Sequence, residues 1–202
     1  MAILARTGGE LRQPAPAGRY FGICVGVYDI GTQSSTLFGP KHQVVIVFEL
    51  HKLRGVVCDS QGQPLQIAVV YNLCFGPQAH LRLDIERILG RTFTEEEAQD
   101  GFDVISLLET RARLVVTQFT RKNGSLGDRI ELFMPFVPGD PELPPVSPLL
   151  VYELDLCRPI PRTIPFWIAR KISESHEWMM STDRHKLLHT NPYLTGAPLA
   201  PS

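Results

Sequence analysis

Apolar and polar positions alternate along YFGICVGVYDIGT, and β-branched and aromatic residues dominate it, which predicts a first strand starting near Tyr20. Gly22 and Gly26 inside it suit a coiled or bulged strand of a small barrel. After a turn over 32–40, KHQVVIVFELHKL gives a second strand, almost continuously apolar from Val44 to Leu50. A loop over 54–64 leads to LQIAVVYNLCF. There Gln66, Ala68, Val70 and Asn72 alternate with Ile67, Val69, Tyr71 and Leu73, the pattern of a third strand.

The period then changes to that of a helix. In PQAHLRLDIERILG, Leu81, Ile85 and Ile88 or Leu89 fall on one face, with Pro77 near the start and Gly90 at the end. In TFTEEEAQDGF, Thr94 and Glu97 have capping-box spacing, and the glutamates suit the positive end of a helix. FDVISLLE adds a short apolar piece of one or two helical turns. RARLVVTQFTRKNGSLGDRIELFMPF reads as a hairpin, with strands over 112–119 and 129–136 around Asn123-Gly124. Prolines crowd 137–165, each removing a backbone donor and fixing φ, so this segment should run extended over the barrel or outward from it. FWIARKISESHEWMM predicts one amphipathic helix, with Phe166, Ile168 or Ala169, Ile172 and His176 or Met179 on one face.

Three strands, a helical insertion and two strands predict a mainly β (α+β) fold. The expected architecture is a five-stranded OB-like barrel with the helical insertion between strands three and four and a C-terminal helix. Residues 1–18 show no period and read as a mobile arm, 19–138 as the OB-like domain, and 139–202 as a Pro-rich extension with the helix and a loose tail.

Composition adds limits. The chain has 202 residues and 44% hydrophobic content, enough for one ordinary domain with a core. Its formal net charge of -1 argues against gripping duplex DNA through bulk basicity, and leaves a local basic groove open. Cys24, Cys58, Cys74 and Cys157 form no C-x-x-C pair and read as buried free thiols in a reducing compartment. No run approaches the ~20 apolar residues of a bilayer span, and the N-terminus lacks a signal-peptide pattern, so a cytoplasmic protein without a membrane partner is expected.

Particular stretches carry a resemblance. They are Tyr20-Phe21-Gly22-Ile23, the run from Val25 through Asp29 to Gln33, Phe48-Glu49-Leu50, Leu81-Arg82, Glu86, Gly90-Arg91-Thr92-Phe93-Thr94, Glu97, Phe102-Asp103 and Leu107-Leu108. In these the chain resembles phage- and prophage-encoded OB-fold proteins described as single-stranded DNA-binding. The resemblance runs from about Tyr20 to Pro138 and is looser beyond. Members often carry tryptophan where Leu89 stands, and the C-terminal end here is not the acidic tail of better-known bacterial single-strand binders. The resemblance implies a non-enzymatic role in phage DNA replication or recombination, with replication or recombination proteins as further partners and a homo-oligomer as one assembly.

Single-strand binding needs cations along the phosphates and aromatic faces for the bases. Tyr20, Tyr28, Phe38, Tyr71, Phe119 and Phe133 are the candidate aromatics. A strand aromatic in a small barrel more often packs in the core. Tyr28 and Tyr71 are preferred because their hydroxyls favour a wet edge, and Phe38 because it follows a Ser/Thr-rich turn. Lys41 lies near Phe38. Arg111 and Arg113 share one face of the fourth strand, Arg121 and Lys122 sit at the hairpin tip, and Arg129 faces them. The competing reading of this cluster is a solvated strand edge with protective charges.

No cofactor, metal or catalytic residue is expected. His185 and His189 have the i,i+4 spacing of helical ligands without a third. The glycines of GICVGVYDIG lack a phosphate-loop context. No nucleophile elbow occurs. The rival function is an OB-like protein-interaction or structural module that has lost its nucleic-acid contacts, which near-neutral charge, Leu89 and the Pro-rich arm favour.

Overall fold

A long antiparallel pair, β1 (Gly18–Gln33) and β2 (Lys41–Lys52), runs through the middle of a seven-stranded sheet. The computed structural model describes residues 13–35, 39–155 and 159–181. The far edge of β2 carries β3 (Gly55–Val56) and then β4 (Gln66–Asn72). The far edge of β1 carries β5 (Arg111–Thr120) along Gly18–Ile23 and, in parallel, β7 (Leu150–Tyr152) along Gly26–Tyr28. β6 (Leu126–Pro135) pairs with β5. β4 and β6 approach within 8 Å between Cα atoms, yet no ladder joins them. The sheet is therefore open, and it has seven strands where a five-stranded OB-like barrel was expected; β3 and β7 are the additions.

The helical insertion lies where expected, between β4 and β5. α1 (His80–Leu89) buries Leu81, Ile85 and Ile88 and ends at Gly90, whose φ of 68° admits glycine readily. α2 (Glu95–Asp100) starts with the reciprocal capping box of Thr94 and Glu97. A 3-10 turn over Val104–Leu107 leads into β5.

β1 and β2 are buried on both faces, which explains the unbroken apolar run of β2. One face, here the inner, carries Tyr20, Cys24, Val27, Ile46, Phe48 and Leu50 against α1 and the β5–β6 pair. The outer face carries Ile23, Tyr28, Val45 and Val47 against β7, α3 (Phe166–Ser173) and α4 (His176–Met180). A bulge at Val25 reverses the alternation of β1: Cys24 opposes Phe48, and Gly26 opposes Val47. The glycines of β1 have steric reasons. A Cβ on Gly22 would run into Leu114 Cδ1, and one on Gly26 would meet the Tyr28 ring at 2.6 Å.

The C-terminal region departs most from expectation. Within 139–181 the described chain is no outlying extension: it supplies a strand and half of the second core, including Trp178, Ile168 and Ile172, all almost fully buried. The single expected helix is two. Ser175 accepts from the Trp178 N–H and starts α4, and the restart turns Trp178 inward while Phe166 stays exposed. Residues 13–17 of the expected arm are held: Ala15 N–H donates to Asp128 (2.7 Å), Gln118 donates to the Ala15 carbonyl (3.0 Å), and Ala15 is fully buried. Cys24 is buried as expected, but Cys58 and Cys74 are exposed; Cys157 lies outside the described residues, as do His185 and His189. No helix among the described residues is long and apolar enough to cross a membrane.

Candidate nucleic-acid interface

The β5–β6 hairpin is closed at its tip by Arg121 N–H donating to the Ser125 carbonyl and by the Asn123 side chain, with Gly124 at φ 82°. Ala112, Leu114 and Val116 point inward, so Arg111, Arg113, Val115, Thr117 and Phe119 occupy the outer face. Opposite them on β6 stand Met134 (Arg113), Leu132 (Val115), Arg129 (Thr117) and Gly127 (Phe119). Exposed Arg19 of β1 lies beside Val115.

The Phe119 ring, 40% exposed, lies across Gly127: a Cβ there would come within 2.7 Å of Cζ. The guanidinium groups of Arg121 and Arg129 stand 5.9 and 6.0 Å from its centroid. Arg121 also donates to the Leu126 carbonyl (2.6 Å), which fixes its position. Lys122 beside it has no ion-pair partner among the described residues. Arg129 is shared with exposed Glu131 at 3.2 Å. Asp128 is turned the other way, toward Ala15. The ribbon thus holds an aromatic face flanked by two cations, with Glu131 as the nearby acid.

The other expected contacts divide. Tyr28 and Tyr71 are not at a wet edge. The Val25 bulge turns Tyr28 to the outer face, where the C-terminal segment covers it and burial pushes its phenol up to about 12. Tyr71 is 5% exposed and donates to Asp84 (2.9 Å); burial, then Asp84, push its phenol strongly up. Of the remaining aromatics, Tyr20 and Phe133 are core residues. Phe38 lies outside the described residues. Lys41 is exposed but pairs with Gln33, at the opposite end of β1 from the hairpin. Arg113 is held by both Asp140 oxygens, Nε to Oδ2 at 2.8 Å and Nη2 to Oδ1 at 2.5 Å. Arg111 has a buried Nε without a hydrogen-bond partner. Gly127, Arg19 and Leu132 were missed in sequence; the signal for Gly127 was a glycine in cross-strand register with Phe119.

A concavity of about 430 Å³ lies between β4 and the start of α1, lined by residues that include Val70, Asn72, Cys74, His80 and Asp84. Among the described residues no group of three or more His, Cys, Asp or Glu could hold a metal ion. Compared with protein-family models and with curated proteins, the sequence matches none.

Proposed function

We propose that the outer face of the β5–β6 ribbon binds single-stranded DNA, without catalysis, in an OB-like fold. The carrying observation is Phe119, half exposed across Gly127 between Arg121 and Arg129. A base stacked on such a ring contributes about 1–3 kcal/mol, and the flanking cations meet the phosphates. β1, β2, β4, β5 and β6, with a helix between β4 and β5, follow the OB order, in which the loop between the last two strands is one of the binding loops. The resemblance to phage and prophage proteins supports the same ligand and a role in replication or recombination.

Fluorescence anisotropy with labelled oligo-dT at two salt concentrations tests this. Binding should weaken with salt, and Phe119→Ala and Arg121→Glu should each weaken it while circular dichroism stays unchanged. One observation favours the rival reading, an OB-like interaction module: the outer face over β1 and β2 is sealed by the chain's own C-terminal segment. No oligo-dT binding at low salt by the folded protein selects that reading.

A further inference from the structure

Between β6 and β7 the chain crosses the outer face of the sheet as a strap, residues 137–149. It contains five prolines, at 138, 141, 144, 145 and 148, and so has few backbone donors. Its only backbone–backbone bond outside regular elements, among the described residues, is the Asp140 N–H to the Val137 carbonyl. Two carboxylates hold it instead. Asp140 takes the Arg113 guanidinium and the Val137 N–H (3.0 Å). Glu49, on β2, takes the N–H groups of Val146 and Ser147 at 2.9 and 2.6 Å, and Gln66 donates to the Ser147 hydroxyl.

The two anchors differ. Glu49 is completely buried beside His51 and belongs to the sheet. Asp140 belongs to the strap, and Arg113 keeps 39% of its side chain exposed on the face that carries Phe119. From Phe119 to Arg113 is six residues along β5, about 20 Å at the strand rise. A fork of two N–H groups donating to both oxygens of an anion is also how arginine takes a phosphodiester.

We propose that Arg113 is a phosphate subsite of this interface and that Asp140 occupies it in the free protein. A bound strand's phosphate takes the two guanidinium bonds from the Asp140 carboxylate, and the turn 137–140 lifts while Glu49 keeps the far anchor. No covalent step is involved. The strap is then an internal competitor set against ligands too short or too weak to reach both Phe119 and Arg113. This inference rests on the single-strand reading of the ribbon.

The test uses the full chain, oligo-dT and Asp140→Asn, which keeps an oxygen for the Val137 N–H and removes the charge. The variant should bind about threefold or more tightly, because the phosphate no longer displaces a carboxylate from Arg113. In the unaltered protein, amide exchange at Val137 and Asp140 should speed up on adding oligo-dT; this second measurement serves should Asp140→Asn fail to fold. Unchanged or weaker binding by a folded Asp140→Asn protein, or unchanged or slower exchange at those amides, overturns the proposal. The ribbon reading survives that result if Phe119→Ala still weakens binding. If the folded, unaltered protein binds no oligo-dT, both fall.

Discussion

Phe119 and Gly127 face each other across the hairpin, and the ring occupies the space where a side chain at 127 would stand. The glycine thus sets the position of the aromatic face. Gly127→Ala should swing the ring away from Arg121 and Arg129. Because the ring is half exposed, the stability cost should stay near that of a surface change, about 0.5–1 kcal/mol. Oligo-dT affinity should fall by roughly tenfold, about one stacking contact. Anisotropy alongside urea melts separates the two effects. Intact affinity in Gly127→Ala would remove Phe119 as the platform.

Tyr71 offers the opposite case. Its hydroxyl donates to Asp84, which also takes Arg87 at 2.6 Å. Tyr71→Phe should cost about 1 kcal/mol for the lost bond and leave oligo-dT binding unchanged. A binding loss in this variant would show that the β4 side contributes to the interface.

The contrast between Phe119 and Tyr71 shows what the amino-acid pattern conveyed. Local periodicity conveyed the strands of β1, β2 and β4, the α1 face of Leu81, Ile85 and Ile88, the Thr94–Glu97 cap and the Asn123–Gly124 hairpin. These depend on neighbours within a few residues. What was hidden depends on long-range partners. The Val25 bulge, which sends Tyr28 outward, shows only in the pairing register with β2. β7 is three residues among prolines and gains its place by parallel pairing with a strand more than a hundred residues earlier. Arg113 has its carboxylate 27 residues ahead, beyond β6, so its spacing with Arg111 said nothing of Asp140.

Glu49 gives a pH prediction. Burial pushes its carboxyl up, but hydrogen bonds from Ser147, the Val146 N–H and His51 outweigh this and hold it below the usual glutamate range. A carboxylate with a lowered folded pKa adds stability above its unfolded pKa, and that stability is lost as pH falls through the folded value. Glu49→Gln should cost about 3 kcal/mol at neutral pH, because His51 and two amides lose a buried anion. The gap between the two proteins should narrow in acid. Urea melts at neutral pH and below the glutamate range measure it. A pH-independent gap would show that Glu49 acts by shape rather than charge.

The last prediction concerns cutting the chain after Pro138. If 139–202 were only an extension lying over the barrel, such a truncation would bare a binding face. The structure leads to another outcome. Ile30, Val45, Val47 and Tyr28 would lose Ile160, Ile164, Ile168, Ile172 and Trp178, and β1 would lose β7 along Gly26–Tyr28. An apolar face of this kind, on strands already committed to an inner core, favours aggregation over ligand binding. Trp178→Ala alone should cost about 3–5 kcal/mol, the usual penalty for emptying a large core site. The truncated protein should therefore be insoluble or bind dyes for exposed apolar surface, and near-ultraviolet circular dichroism should show lost packing. A truncation ending at 138 that stays monomeric, melts cooperatively and keeps its near-ultraviolet signal would show that the outer core is dispensable. The second face of β1 and β2 would then be a docking surface for this segment rather than part of the fold.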